Sequence, residues 1–180
     1  MHSYPIETPQ VKLRLLTVDD ISERYVRWLN DPSINQFLET RHEEQSSESC
    51  HYFVDRCIES PTEHLFGIFN GIDDRHIGNA KLGFINQRYL KGEISLFIGD
   101  QKFWGKGIGR EVVHALTAFG FAQLGLMKIE AGCYEENIAS LRTFLRIGYA
   151  IEGFLRSSVV SENKRCGIYR LGIVKAEFDE

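Results

Sequence analysis

Apolar and polar residues alternate at the start of this chain, then recur at helical spacing, and then alternate again. Val11, Leu13 and Leu15, separated by Lys12 and Arg14, predict a strand. Thr17 and Asp20 resemble a capping box with a shortened acid. They predict a helix through Ile21, Tyr25 and Trp28, stopped by Asn30-Asp31-Pro32. A short helical segment over residues 33–38 and a polar loop through Arg41 follow. Residues 47–59 predict another helix, ending before Ser60-Pro61. The period then falls to two. Residues 64–69 and 76–85 flank the turn Gly71-Ile72-Asp73-Asp74-Arg75 and predict a hairpin, and 93–99 predicts a third strand.

Ile108, Val112, Ala115, Leu116, Phe119 and Ala122 share one helical face. Met127, Ile129, Ala131 and Cys133 alternate as a strand. Residues 138–147 predict a helix with Leu141, Phe144 and Leu145 inward and Gly148 as its C-cap. Residues 149–160 and 165–175 close the chain as a hairpin about Ser161-Glu162-Asn163-Lys164. The order βααβββαβαββ predicts an α/β (α+β) domain with a mixed, mostly antiparallel sheet of about seven strands and about four helices. The strand–helix–strand connection through the helix after residue 107 is expected to be parallel.

Composition narrows this to one globular domain over residues 1–180. At 180 residues, 43% hydrophobic and 26% charged, the chain can bury a substantial core and does not match a disordered composition. There is no repeat, no linker and no apolar run long enough for a membrane span. Met1-His2-Ser3-Tyr4-Pro5 lacks the basic-then-apolar pattern of an export signal, so a cytoplasmic protein without a membrane partner is expected. The net charge of −4 provides no basic field for nucleic acid. Residues 1–90 carry net −5 and residues 91–180 net +1. If the halves wall one cleft, the first favours a cation and the second tolerates an anion; a solvated surface would give the same counts. Cys50, Cys57, Cys133 and Cys166 show neither a CxxC nor zinc spacing. They read as reduced core thiols, and no metal is expected.

The sharpest chemical signal is Phe103-Trp104-Gly105-Lys106-Gly107-Ile108-Gly109-Arg110, where three alternate glycines lead from a strand into an amphipathic helix. Such a loop can turn its N–H groups towards one point at a helix N-terminus, and Lys106 and Arg110 add charge; a phosphate suits it. It is not a Walker A loop, because no Ser or Thr follows Lys106. Nor does it fit a dinucleotide fingerprint, which would need glycine at Arg110 and a preceding βαβ unit. A tight turn alone would need only one glycine.

Lys106-Gly107-Ile108-Gly109 after a strand resembles the acetyl-CoA pyrophosphate loop of the GNAT superfamily of acyltransferases, Gln/Arg-x-x-Gly-x-Gly/Ala. Trp104 at the Gln/Arg position resembles the RimJ/RimL-like branch of ribosomal-protein N-terminal acetyltransferases, as does Glu152-Gly153-Phe154-Leu155-Arg156. Asn137-Ile138-Ala139-Ser140 with Gly148-Tyr149 resembles a second family block. The likeness runs from about residue 11 to 176 and is weakest over 30–65. It implies a GNAT-type acyl-CoA N-acyltransferase fold. Acceptor-side elements fall over about 17–60, the acetyl-CoA-binding core over about 93–149, and a C-terminal hairpin over about 149–176.

The resemblance implies acetyl transfer from acetyl-CoA to a primary amine, which requires a neutral amine, a polarised thioester and a proton for the departing thiolate. Glu93, fourteen residues before Gly107, is the implied base; it reads equally as a solvated strand-end carboxylate. The usual tyrosine seven residues after the Asn is Phe144 here, leaving Ser140 or Tyr134 as acid candidates; Ser140 could instead be a small packing residue. Phe97, Ile98 and Gly99 would lie beside pantetheine, with oxyanion donors from the same splayed strand. Trp104, Gly105, Lys106, Gly107, Ile108, Gly109 and Arg110 would form the phosphate cradle. Asn137, Ser140 and Phe144 complete the cofactor set, although Asn137 also reads as a helix N-cap.

Trp28, Asn30, Phe37, Glu39, Arg41 and His51, with Tyr52 nearby, fall in the implied acceptor region. Trp28 and Phe37 also read as core, and Glu39 and Arg41 as loop surface. The favoured acceptor is a small molecule such as an amino sugar, possibly nucleotide-linked, or a polyamine. A protein N-terminus is the alternative, and a non-catalytic CoA sensor a further one. The chain is expected to act as a monomer or homodimer.

Overall fold

A computed structural model describes residues 4–161 and 164–178. The chain opens with β1 (Ile6–Glu7), too short to show a period in sequence, and β2 (Val11–Leu15), where Val11 and Leu13 are fully buried. Helices α1 (Glu23–Asn30), α2 (Pro32–Asn35) and α3 (Ser47–Glu59) follow. Next come β3 (His64–Asn70), β4 (His76–Asn86) and β5 (Lys91–Ile98), then α4 (Ile108–Ala122), β6 (Lys128–Tyr134) and α5 (Ile138–Leu145). The hairpin of β7 (Ala150–Ser161) and β8 (Lys164–Val174) ends the fold; Glu162 and Asn163 of its predicted turn lie outside the described residues.

The strands form one sheet in the order β1-β2-β3-β4-β5-β6-β8-β7. β2 to β5 make an antiparallel meander, and β5 pairs parallel with β6, as the α4 crossover requires. One face of the sheet packs on α4 and α5. Its core includes Ile94, Ile129, Leu171 and Ile173 from the strands, Val112 and Leu116 from α4, and Phe144 from α5. The other face carries a second core from α1, α3 and the adjoining strands, with Tyr25, Trp28, Cys50, Val54 and Cys57. Each large apolar side chain removed from water this way contributes about 1.5–3 kcal/mol. All four cysteines are buried and free.

The Thr17–Asp20 pair does not start α1, as the pattern predicted. It closes a single 3₁₀ turn, Val18–Asp20, in which the Thr17 N–H donates to Asp20 Oδ2 at 2.9 Å. Arg14 grips the same carboxylate at 2.8 and 2.6 Å, and Ile21 is extended (ψ 94°), so the helix restarts at Glu23 with Ser22 as N-cap. The arginine fork across six residues outweighs propagation of a marginal turn. The predicted helix over 33–38 stops at Asn35, and residues Glu39–His42 form a further 3₁₀ turn.

Candidate active site

β5 and β6 are in register only at Lys91–Glu93 and Lys128–Glu130. Beyond Glu93 they separate: β5 runs on to Ile98 beside β4, whereas β6 runs on to Tyr134 beside β8. A wedge therefore opens between two strand edges. The Gly99 N–H bonds to Ile77 O in the β4 direction, and the Leu90 carbonyl accepts from Met127 N–H in the β6 direction. By the alternation of strand main-chain groups, those of Ile94, Leu96 and Ile98 point into the wedge. Trp104 takes one of them, its indole N–H donating to Ile98 O at 2.7 Å. Gly99 closes this end of β5 beneath the Trp28 ring, which a Cβ there would strike.

The glycine loop lies at the mouth of the wedge. Gly105 and Gly107 adopt φ +71° and +84°, the left-handed region that L side chains avoid, and a Cβ on either would meet nothing within 4 Å. Gly107 is the N-cap of α4, so the loop presents main-chain N–H groups at the positive end of a 15-residue helix. Lys106 and Arg110 are exposed there, and the Lys106 ammonium sits 5.4 Å above the Phe103 ring. Conformation, open space and charge all fit an anionic phosphate group, and the unpaired β5 edge beside it fits an amide-bearing chain. The residues present thus suit CoA. Among the described residues no group of three or more His, Cys, Asp or Glu side chains could hold a metal ion.

On the sheet face opposite α4, Glu93 projects from β5 and meets Arg170 of β8, Nη2 to Oε2 at 2.8 Å. Nothing in the local pattern around either residue signals this pair. Arg170 lies 77 residues away and reaches Glu93 only because β8 inserts beside β6. The pair is partly exposed and continues into a ladder: Lys91 to Glu130 at 2.9 Å and Lys128 to Glu152 at 2.8 Å. Gly132 leaves room for the Arg170 guanidinium, which a Cβ would approach to 3.0 Å.

Three predicted acceptor residues converge at the C-terminal end of β6. The Tyr134 hydroxyl donates to Glu39 Oε1 and accepts from Arg41 Nη1 at 2.9 Å, and the Phe37 ring lies 5.9 Å from the tyrosine ring. Burial, reinforced by Glu39, pushes the Tyr134 phenol above its ordinary value, so it keeps its proton at neutral pH. Arg41 also donates to Leu38 O at 2.7 Å and to Val160 O of β7 at 3.0 Å. It thus ties the segment after α2 across to the hairpin. Beside this tie lies a cleft of about 540 Å³ between the α1–α3 connection and β7, with Glu43, Glu44 and Glu136 on its walls. Asn30 lines it too and holds the connection through both main-chain groups of Gln45, at 2.8 Å each.

Ser140 stands on the other side of β6, its Oγ 3.3 Å from Cys133 Sγ. Asn137 Oδ1 accepts from the Ser140 N–H at 3.1 Å, so Asn137 acts as the N-cap of α5. Three expectations need correction. Phe144 faces the core, 2% exposed with its ring 5.0 Å from Tyr149, and lines neither loop nor cleft. Trp28 is 5% exposed and packs edge-on against Phe97 and His76; it buttresses β5 rather than lining an acceptor pocket. His51 bonds back to Ser47 O of its own helix at 2.6 Å, and Tyr52 beside it is exposed; neither joins the cleft wall.

Comparison with known proteins agrees with this geometry. The family model described as acetyltransferase (GNAT) domain matches residues 10–150. The chain is 25% identical to the uncharacterized N-acetyltransferase p20 of Bacillus licheniformis, over 95% of this chain and 96% of that one. It is 27% identical to spermidine N(1)-acetyltransferase of Escherichia coli K12, over 81% and 75% of the two chains. Spermidine N-acetyltransferase from Vibrio cholerae, solved with CoA and spermine, superposes with a TM-score of 0.85 at 22% identity, covering 94% of this chain and 98% of that one.

Proposed function

This chain belongs to the GNAT acetyltransferase family, and on that premise we propose that it moves the acetyl group of acetyl-CoA to a primary amine of a small polyamine-class cation. The observation that carries the acceptor is the cleft with Glu43, Glu44 and Glu136 on its walls, in which the Arg41 guanidinium is committed to Tyr134, Leu38 and Val160. A multiply charged amine gains more from several spaced carboxylates than an amino sugar with a single ammonium group does. The spermidine acetyltransferase relative supports the same choice. Trp104 at the loop position usually held by Gln or Arg supports a place near the RimJ/RimL-like branch.

Gly105 to Gly109, with Lys106 and Arg110, would hold the pyrophosphate, and the Leu96–Ile98 edge the pantetheine. When bound, acetyl-CoA supplies the acyl group as an activated thioester. Glu93 accepts the amine proton at Oε1, the oxygen not bonded to Arg170, while Arg170 fixes the carboxylate in place. Main-chain N–H groups of β5 that point into the wedge polarise the acyl oxygen. Ser140 Oγ is the hydroxyl assigned to the leaving thiolate, since Phe144 has none and Tyr134 already donates to Glu39.

The test is thiol release from acetyl-CoA with spermidine, an amino sugar and a peptide bearing a free N-terminus. Turnover with spermidine is expected, with a KM that rises with salt. Glu43→Gln with Glu44→Gln should raise that KM about three- to tenfold at nearly constant kcat, within the range for two exposed charge pairs. Turnover confined to the sugar or the peptide overturns the acceptor assignment, and CoA binding without turnover on any amine makes the chain a sensor.

A further inference from the structure

The phosphate loop is held from behind by a segment that neither the motif nor the wedge includes. Glu111, in the first turn of α4, is a carboxylate close to the helix end that is to receive an anion, an unfavourable place for a negative charge facing that ligand. It does not face the ligand. Its Oε2 accepts from Thr8 Oγ1 at 2.8 Å and from the Gln10 N–H at 3.1 Å, and its Oε1 accepts from Gln10 Nε2. The turn between β1 and β2 is therefore docked on the base of the loop, about a hundred residues away in sequence.

From this docked position Gln10 Nε2 also donates to the carbonyl of Lys106 at 3.3 Å. That carbonyl shares a peptide plane with the N–H of Gly107. In a trans peptide the two groups point in opposite directions. A Lys106 carbonyl drawn back towards Gln10 therefore turns the Gly107 N–H to the side away from Gln10, at the exposed N-cap of α4. Glycines at 105 and 107 leave these peptides free to rotate, so the loop needs an external hold to keep a donor aimed outward. We infer that Gln10, anchored by Glu111, is a positioning residue for the CoA pyrophosphate: it presets the Gly107 N–H as a phosphate donor through the Lys106 carbonyl. This rests on the assignment of the loop to CoA.

Gln10→Ala tests it, since Gln10 is exposed in a turn and its loss removes no core contact. CoA and pantetheine, which lacks the pyrophosphate, are each titrated against the wild type and the variant, with NMR following the Gly107 amide. CoA affinity should fall about five- to tenfold, the net worth of one ordinary hydrogen bond, with pantetheine affinity unchanged. The Gly107 amide shift on CoA addition should shrink. Gln10→Glu, which keeps the chain length but offers no donor to the carbonyl, should weaken CoA at least as much. CoA affinity within twofold of wild type, or equal weakening of CoA and pantetheine, overturns the inference. If the wild type itself binds no CoA, the loop assignment falls, and this inference with it.

Discussion

Gly107→Ala separates backbone strain from ligand space, because the two effects differ in size and the fold supplies a control. Gly107 sits at φ +84°, where an L side chain costs about 1–2 kcal/mol. For a domain of this length, each kcal/mol moves the melting midpoint by about 2–4 °C, so the variant should melt about 2–8 °C lower. Gly125, between α4 and β6, has φ +67° and likewise nothing within 4 Å of a Cβ. Gly125→Ala should show the same thermal loss. The variants should part in CoA binding. A methyl at Gly107 enters the cradle at the N-terminus of α4 and holds a phosphate away from the N–H groups there. CoA affinity by calorimetry should drop about tenfold or more. Gly125→Ala should bind CoA as the wild type does. Wild-type CoA affinity in Gly107→Ala would refute the cradle assignment. Equal weakening in both variants would show that strain, and not occupied space, is the cause.

Two further outcomes follow from the site and the core. Glu93→Gln should reduce turnover about a hundredfold with CoA affinity unchanged, and an unaltered pH–rate profile would remove Glu93 as the base. His76 is 7% exposed between Phe69, Tyr25 and Trp28, with Nε2 near Gly78 O and Asn79 Oδ1 and no partner at Nδ1. Burial holds its imidazole below the ordinary histidine range, partly offset by those two bonds. A folded value below the unfolded one means that stability is complete above about pH 6.5 and is lost as pH falls below it. Denaturant midpoints at pH 7.5 and 5 should therefore differ more for the wild type than for His76→Gln; equal differences would place the acid sensitivity elsewhere.

Local periodicity determined most of the elements, because a half-buried strand or helix writes its buried face into its own residues. The β3–β4–β5 meander, α4, and the Gly105–Gly109 loop were all legible for that reason, and the loop carried its chemistry with it because left-handed backbone demands glycine. β1 is too short to register, and the Thr17–Asp20 turn does not lead into α1 because Arg14 captures the acid. What the tertiary structure alone decided is which distant residues share a site. Arg170 meets Glu93 because β8 inserts between β6 and β7; Glu39 and Arg41 meet Tyr134 because the α1–α3 connection folds over the end of β6. Thr8 and Gln10 reach Glu111 because the first strands run beneath α4. Burial also reassigned Phe144 and Trp28 from site to core. Side-chain identity records the environment a residue needs, but hydrogen bonds and ion pairs act over about 3 Å, and only the packed chain brings their partners that close.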